Sequence, residues 1–213
     1  MKIKKPVILA ICGKSASGKD TLAQFLGKYL SAQGLNIHNI VSVTTRPKRD
    51  KEQSAKDYYF INENQFFYLL HHGDLLEHTK FRNWYYGVPI EEIKPDCINI
   101  GVFNPEGLRT LEKQKYKFFV IPIYLEEKLR IRLRRSHDRE GKWKLEYIRR
   151  LFADHFAFRG IKKILPRLNN GKFISMEGVS GAWKQSLQTQ KVLTRWGILI
   201  EDENEQLRLG NLV

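Results

Sequence analysis

The chain contains only two cysteines among its 213 residues, and it lacks any long uninterrupted apolar run. Cys12 and Cys97 each lie inside a short apolar stretch without metal-ligand spacing, a setting typical of reduced, buried thiols. A membrane span requires about 20 consecutive apolar residues, so none is predicted. The apolar stretch behind the basic N-terminus is too short for a signal peptide. We therefore expect a cytoplasmic protein.

Acidic residues are scarce, because the chain has 23 Asp and Glu against 37 Lys and Arg, a formal net charge of +14. Such a charge requires an acidic partner. The segment from Lys128 to Lys163 holds 13 of the basic residues and only 4 acidic ones. A concentrated basic cluster suits a site for several phosphates at least as well as a nucleic-acid surface, and composition alone does not choose between them.

Internal repeats and low-complexity tracts are also missing. Short apolar runs such as Val7 to Cys12 alternate with segments of helical periodicity such as Thr21 to Ala32. This alternation predicts a three-layer α/β fold with a parallel central sheet, whose second strand is expected from Ile40 to Val43. From Ile161 onward the pattern weakens. Residues 161–213 are expected to form the C-terminal part of the same domain or a small appended segment.

Residues 13 to 21 match the phosphate-binding loop (P-loop) motif, in which four residues separate a glycine from a Gly-Lys pair. The motif stands where it must, between an apolar strand and an amphipathic helix. Glycines allow backbone N–H groups to surround a β-phosphate, and the helix N-terminus adds positive potential. Lys19 would neutralise charge on the transferring γ-phosphate. The residues expected to bind ATP are Gly13, Ser15, Ser17, Gly18, Lys19, Asp20 and Thr21.

The position after Lys19 departs from the motif. A Ser or Thr hydroxyl normally ligates Mg²⁺ there, whereas this chain has Asp20 followed by Thr21. Carboxylate oxygen also suits Mg²⁺, so either Asp20 or the Thr21 hydroxyl is expected to contact the metal. The six histidines are given no role in a metal site.

A second phosphate site is predicted after the second strand. Arg46 and Arg49 lie three residues apart in a polar loop, where two planar guanidinium groups can converge on one phosphate. On this segment alone a solvated basic loop is an equal alternative. The following residues favour the phosphate site, because phenols and a carboxylate recur at ordered intervals. They occur in Asp57-Tyr58-Tyr59-Phe60, Leu75-Leu76-Glu77 and Asn83-Trp84-Tyr85-Tyr86-Gly87.

This order resembles the monophosphate-binding insertion of the guanylate kinases, a P-loop family of nucleoside-monophosphate kinases. The resemblance covers about residues 6–160, and it implies a kinase core of residues 1–160 with a small insertion, expected to be antiparallel, at about 44–90. The residues implied to hold the acceptor phosphate are Arg46, Arg49, Tyr58 and Tyr86. Ser42 and Glu77 are implied to meet the base, where Glu77 would accept hydrogen bonds from guanine N1 and N2.

The basic cluster is similar in position to the helical lid of these kinases, which implies a lid at about 134–146 that closes over both nucleotides. Lid arginines bridge the donor and acceptor phosphates, and closure excludes water. The arginines predicted to face the reacting phosphates are Arg135, Arg139 and Arg150. Those interpreted as solvated helix charges are Arg130, Arg132 and Arg134.

Three departures from the family pattern concern the base. Val88 replaces a small hydroxyl residue after Tyr-Tyr-Gly, the strand Ile98 to Phe103 has no aspartate, and the acceptor loop lacks the usual glycines. Base selection depends on a few buried polar contacts. The chain is therefore expected to lie closer to diverged deoxynucleoside-monophosphate kinases, and to accept GMP or dGMP without being exclusive for them.

The predicted function is transfer of a phosphoryl group from ATP, with Mg²⁺, to a nucleoside or deoxynucleoside monophosphate. One alternative is a non-catalytic guanylate-kinase-like module that binds a phosphorylated protein segment, and such modules have generally lost the P-loop. The other is a kinase of nucleic-acid ends. The basic charge permits a nucleic-acid partner, but the predicted insertion resembles a closed pocket for one nucleotide. No membrane partner is expected, and the oligomeric state is left open.

Overall fold

A five-stranded parallel sheet lies at the centre of the described residues, which in this computed structural model are 5–50, 52–81, 83–140, 145–178, 181–201 and 207–209. The strands are β1 (Val7–Gly13), β2 (Ile37–Asn39), β3 (Val43–Thr44), β4 (Tyr59–Phe60), β5 (Leu75–Phe81), β6 (Trp84–Pro89), β7 (Ile98–Val102), β8 (Phe119–Glu126), β9 (Ile174–Glu177), β10 (Leu199–Glu201) and β11 (Leu207–Leu209). The helices are α1 (Lys19–Ser31), α2 (Glu63–His72), α3 (Pro105–Lys113), α4 (Leu129–Glu140), α5 (Leu145–Ala157), α6 (Ile161–Leu168) and α7 (Ala182–Arg195). Among the described residues, no helix has both the length and the apolar character of a membrane span.

The central sheet has the strand order β2-β7-β1-β8-β9, and its neighbouring strands are all parallel. Strand β1 is buried along its whole length because helices cover both faces of the sheet. Leu9 and Ile11 belong to the apolar core on the face of α1 and α7. Ile8 and Ala10 belong to the core on the other face, where α3 and α6 lie. The predicted three-layer α/β fold is confirmed.

The insertion is a second, four-stranded sheet in the order β4-β3-β6-β5. Strand β3 pairs antiparallel with β6 but parallel with β4, so the expectation of a purely antiparallel insertion is wrong. The predicted strand from Ile40 to Val43 is also wrong. The N–H of Ile40 still donates to the Ile100 carbonyl oxygen of β7, at 2.9 Å, and the chain then crosses from the central sheet into the insertion as β3.

The chain after Ile161 contributes to both helical layers and to one edge of the central sheet. Helix α6 packs against α3, strand β9 pairs with β8, and α7 packs against α1. Strands β10 and β11 form an antiparallel pair. The weak sequence pattern gave no indication of α6, which buries four apolar residues, namely Ile161, Ile164, Leu165 and Leu168.

The two cysteines are free thiols in different surroundings. Cys12 is buried in β1, where loss of hydration raises the pKa of its thiol to about 12 and makes it unreactive. Cys97 is only partly buried, so the expectation that both thiols are buried is wrong for this residue. It precedes β7 in a turn, where the apolar run does not yet lie inside the sheet.

Candidate active site

The loop between β1 and α1 is tightly folded around two glycines. A Cβ on Gly13 would lie 2.6 Å from Ser17 Oγ and 2.7 Å from the Leu125 carbonyl oxygen, so only glycine fits. Gly18 has a φ of +96°, in the left-handed region that favours glycine. The first glycine is therefore required by space and the second by backbone conformation, which fixes the loop at the carboxyl end of β1.

This loop offers hydrogen-bond donors that the described residues do not use. Ser17 Oγ is buried and has no hydrogen-bond partner among them. Helix α1 begins at Lys19, and its N-cap residue, Gly18, has no side chain that caps the first turn. The free N–H groups of a helix N-terminus attract anions. The loop therefore fits an anion with several oxygen atoms, such as the phosphate chain of ATP.

Helix α4 places Arg135 on this loop. Its Nη1 donates to the Ser17 carbonyl oxygen at 2.9 Å, and its Nη2 donates to the Gly178 carbonyl oxygen at 3.2 Å. The buried carboxylate of Glu127 lies 3.2 Å from the same guanidinium. Arg135 is therefore positioned beside the phosphate-binding loop. The structure describes only part of the predicted lid, 134–146. The side chains of Arg139 and Arg150 lie outside the part of the chain that it describes.

The interpretation of Arg132 as a solvated charge is wrong, because this residue is 5% exposed. Its Nε donates to the Ser15 carbonyl oxygen at 2.8 Å, and its guanidinium pairs with the Asp154 carboxylate. Burial lowers the pKa of Arg132, and the charge of Asp154 opposes this shift. Arg130 and Arg134 are exposed. Arginine recurs at almost every second position of α4, so helical spacing alone did not show which ones face the loop.

In the insertion, Arg46 is enclosed by two aromatic rings and a carboxylate. Its guanidinium carbon lies 5.6 Å from the ring centre of Tyr58 and 5.7 Å from that of Phe60, within cation–π range. Its Nη2 donates to Glu52 Oε1 at 2.7 Å. Burial acts to lower the pKa of Arg46, but the hydrogen bond and charge of Glu52 outweigh it and raise the pKa. Arg46 is therefore a buried, permanent cation.

Arg49 lies on the surface beside the same carboxylate. Its side chain is 56% exposed, and its Nη1 is 3.8 Å from Glu52 Oε1. Its backbone N–H donates to Glu52 Oε2 at 2.9 Å. Both predicted phosphate-binding arginines thus contact Glu52, for which the sequence predicted no role. The sequence of the polar loop does not distinguish Glu52 from a solvent-exposed glutamate.

Tyr58 of the insertion lies within electrostatic range of Asp20 in the phosphate-binding loop. Its ring lies 6.0 Å from that of Tyr86 in an edge-on arrangement. Burial raises the pKa of Tyr58 to about 12, and the carboxylate of Asp20 contributes to the shift. Since Asp20 lies in the first turn of α1, the predicted acceptor phenols and the phosphate-binding loop border one region. Tyr58 remains a neutral hydrogen-bond donor at physiological pH.

Glu77, on β5, is a buried carboxylate that faces the start of α3. The residue is 7% exposed, and among the described residues its Oε2 has no hydrogen-bond partner. A Cβ on Gly107 would lie 2.9 Å from that oxygen. Desolvation raises the pKa of Glu77 to about 7, and the charge of Glu106 contributes. A buried carboxylate without a donor is unfavourable, so this side chain is suited to a ligand that donates hydrogen bonds.

Val88 lies beside Glu77 in the insertion sheet, and Ser42 lies directly before another strand of that sheet. Val88 is the β6 register partner of Glu77 and is 1% exposed, so it adds apolar surface and no hydrogen-bonding side chain. Ser42 is half-buried directly before β3, and its carbonyl oxygen accepts from the N–H of Tyr59 at 2.9 Å. Glu77 lies on β5 and Ser42 directly precedes β3, and β6 lies between these two strands in the sheet.

The predicted metal ligands lie at the exposed start of α1. Asp20 and Thr21 both face solvent in its first turn, next to Lys19. In the part of the chain that the structure describes, no three His, Cys, Asp or Glu residues are grouped so that they could hold a metal ion. Mg²⁺ commonly takes one or two carboxylates and completes its shell with phosphate oxygens and water. Asp20 fits that role.

A phosphate-binding loop at the carboxyl end of a parallel strand, with arginines of a following helix on its backbone, defines an α/β protein of the P-loop class. The family model for guanylate kinase matches residues 3–150. The chain belongs to the guanylate kinase family, and the predicted resemblance is confirmed.

Individual relatives agree with the family match. The guanylate kinase of Anaplasma phagocytophilum (strain HZ) is 35% identical over 145 residues, which cover 63% of this chain and 67% of that protein. The guanylate kinase of Thermotoga maritima is 31% identical over 175 residues, 72% of this chain and 78% of that protein. A crystal structure of the Anaplasma phagocytophilum guanylate kinase matches with a TM-score of 0.63 at 19% identity, over 95% of this chain and 90% of that one. The structural match supports the fold.

Proposed function

We propose that this protein transfers the γ-phosphoryl group of ATP to GMP or dGMP, forming the diphosphate. The observation that carries the guanine assignment is the buried carboxylate of Glu77, which has an oxygen without a hydrogen-bond donor among the described residues. Guanine presents two adjacent donors, N1–H and the 2-amino group, that suit a carboxylate. Adenine presents an acceptor at N1, and thymine has no amino group. Membership in the guanylate kinase family supports the same substrate.

The acceptor phosphate would bind beside Arg46, which is buried against Tyr58 and held by Glu52. Two guanidinium groups and two phenols suit a phosphate dianion. The predicted partners of that dianion are Arg46, Arg49, Tyr58 and Tyr86. Glu52 would keep Arg46 in place before the substrate arrives, and its contact with Arg46 would weaken as the phosphate takes over that guanidinium.

The donor phosphates would bind to the loop at residues 13–21, with Lys19 and Arg135 neutralising charge on the transferring group. Asp20 or Thr21 would hold Mg²⁺, which would supply further positive charge against the phosphates. Phosphoryl transfer of this kind depends on positioning and charge neutralisation more than on a general base. The predicted lid residues Arg139 and Arg150 would be the remaining cations around the reacting phosphates.

The two alternative functions are less well supported. A non-catalytic module needs no donor site, yet this chain retains Gly13, Gly18 and Lys19 in a complete loop. A kinase of nucleic-acid ends needs an open channel. In this chain Arg46 is enclosed, with only 6% of the residue exposed, which favours a pocket for one nucleotide.

Turnover of ATP with a panel of acceptors tests the proposal. The panel contains GMP, dGMP, AMP, dTMP, dCMP and a 5′-hydroxyl oligonucleotide. We expect GMP or dGMP to give the highest kcat/KM, with another deoxynucleotide within about two orders of magnitude, because Val88 leaves few polar contacts for discrimination. Efficient turnover of dTMP or dCMP without any activity on GMP and dGMP would show that the guanine assignment is wrong.

Lys19→Ala is the control for that assay. It should lower kcat by about 100-fold or more, because it removes a cation from the transferring phosphate. The fold should be unchanged by circular dichroism, since the glycines and backbone set the loop. A near-normal kcat would mean that the measured activity does not come from this loop.

A further inference from the structure

Asp154 bonds α5 to the phosphate-binding loop at Ser15. Its carboxylate accepts from the Ser15 backbone N–H at 2.9 Å and from the Ser15 hydroxyl at 3.0 Å. The same carboxylate pairs with Arg132 of α4, whose Nε donates to the Ser15 carbonyl oxygen at 2.8 Å. One ion pair therefore binds the N–H, the carbonyl and the hydroxyl of a single loop residue.

The ion pair is largely shielded from water. The side chains of Arg132 and Asp154 are 6% and 12% exposed. A buried ion pair holds its geometry firmly, because losing one partner leaves an uncompensated charge in a medium of low polarity. The pair joins the loop to α4 and α5, two consecutive helices that follow it by more than 100 residues in the sequence. Asp154 lies four residues, about one helical turn, after Arg150 on α5.

The contact is placed where it can act on the donor nucleotide. Ser15 lies between Gly13 and Gly18, the two glycines that shape the loop. Arg135, one helical turn after Arg132 on α4, donates to the carbonyl oxygen of Ser17 in the same loop. Asp154 therefore contacts both the loop backbone and a residue of the helix that carries Arg135.

We propose that Asp154 is a positioning residue, which holds Ser15 and Arg132 in the geometry in which the loop receives the triphosphate. The proposal rests on the proposed function only insofar as the loop binds ATP. Asp154 lies beyond residues 3–150, the range that the family model matches. Small displacements of positioning groups have large effects on phosphoryl transfer, because catalysis depends on alignment.

The test is Asp154→Asn, which removes the charge at nearly constant size. We expect the Kd for ATP, measured by calorimetry without an acceptor, to rise about tenfold or more, and kcat to fall by a similar factor. The KM for GMP should stay within about twofold of wild type, because the acceptor site is on the insertion. The matched control is Glu126→Gln, which removes an exposed carboxylate paired with Lys162 and should leave all three constants within about twofold.

A double variant separates positioning from general destabilisation. Ser15→Ala should weaken ATP binding on its own, since it removes the hydroxyl that bonds Asp154. In the Asp154→Asn background it should add less than its separate effect, because the bond is already altered. The proposal would be overturned if the effects of the two substitutions on the Kd for ATP were fully additive. It would also be overturned if Asp154→Asn weakened ATP binding and GMP binding equally.

Folding is checked first by circular dichroism. If Asp154→Asn does not fold, Asp154→Glu decides, since it keeps the charge on a longer side chain. The proposal requires weaker ATP binding by Asp154→Glu, and wild-type affinity overturns it. A wild-type chain that binds ATP but phosphorylates no monophosphate would contradict the proposed function, and the ATP affinities of the variants would still decide the role of Asp154.

Discussion

Glu77 is a buried carboxylate whose surroundings shift its ionisation toward neutral pH. Its pKa is raised from 4.5 to about 7, so between these values the folded protein binds a proton that the unfolded chain has lost. Stability at this site therefore falls as pH rises from about 4.5 to about 7, and the loss is complete above that window. We expect Glu77→Gln to stabilise the protein at pH 8 by on the order of 2–3 kcal/mol, with no gain near pH 4.5.

Urea unfolding of both proteins at pH 4.5 and pH 8 measures this difference. The same variant should lose most of its kcat/KM for GMP, because the amide both donates and accepts where guanine needs an acceptor. The control is Glu126→Gln, whose carboxylate is exposed and should show no pH-dependent gain. An equal change in stability at both pH values would contradict a buried, ionisable Glu77.

Arg46 and Arg49 differ in burial, and their effects on catalysis should differ accordingly. Arg46→Ala should raise the KM for GMP by about tenfold or more, because a charge-assisted hydrogen bond contributes about 1.5–3 kcal/mol. Arg49→Ala should have the smaller effect, since its side chain is 56% exposed. Initial-rate kinetics with each substrate varied in turn measure both constants. If the KM for ATP rises as much as the KM for GMP, these arginines do not bind the acceptor phosphate.

At the scale of elements, the junction of β1 and α1 depends on the absence of a side chain at Gly13. A methyl group there would lie 2.6 Å from Ser17 Oγ and 2.7 Å from the Leu125 carbonyl oxygen, the second of which is backbone. Gly13→Ala should therefore destabilise the protein by about 1–3 kcal/mol through overpacking, and it should weaken ATP binding by displacing the loop.

Gly171→Ala is the matched control for Gly13→Ala. Gly171 has a φ of +89°, and a Cβ there would meet no heavy atom within 4 Å. The change should cost about 1 kcal/mol through backbone strain alone and leave ATP affinity unchanged. Calorimetry and thermal unfolding of both variants give the comparison. Normal ATP affinity in Gly13→Ala would contradict the steric account of the loop.

At the scale of the whole molecule, the segment after Leu168 supplies part of the core. Strand β9 extends the central sheet beside β8, and α7 covers α1. The buried apolar residues of this segment include Ile174, Met176, Leu193, Ile198 and Leu199. Each such side chain contributes roughly 1.5–3 kcal/mol when buried, and a domain is stable by only about 5–15 kcal/mol in total.

A chain that ends at Leu168 should therefore fail to fold cooperatively. Thermal unfolding followed by near-ultraviolet circular dichroism measures this, and a chain that ends at Trp196 is the control. The longer chain keeps β9 and α7, and we expect it to fold with a lower Tm than the full chain. Cooperative unfolding of the shorter chain near the wild-type Tm would instead favour an appended segment.

Contiguous features of this protein could be predicted from the sequence. The phosphate-binding loop spans only residues 13–21. Its glycines and lysine act through local backbone geometry, so their spacing in the sequence is enough to predict the loop. The buried run of β1 and the alternation of strands and helices also depend on neighbouring residues, and they were sufficient for the α/β fold. The order of residues from Ser42 to Tyr86 was sufficient for the family.

Other features were decided by the tertiary structure, because they join residues far apart in the chain. Packing of α4 on the loop selected Arg132 for burial among several similar arginines, and it brought Asp154 to Ser15 across 139 positions. The path from β2 to β3 was fixed by which sheet each segment pairs with. Desolvation of Glu77 depends on α3 lying against β5. Burial and long-range pairing are properties of the packed molecule, so they cannot be predicted from local periodicity in the sequence.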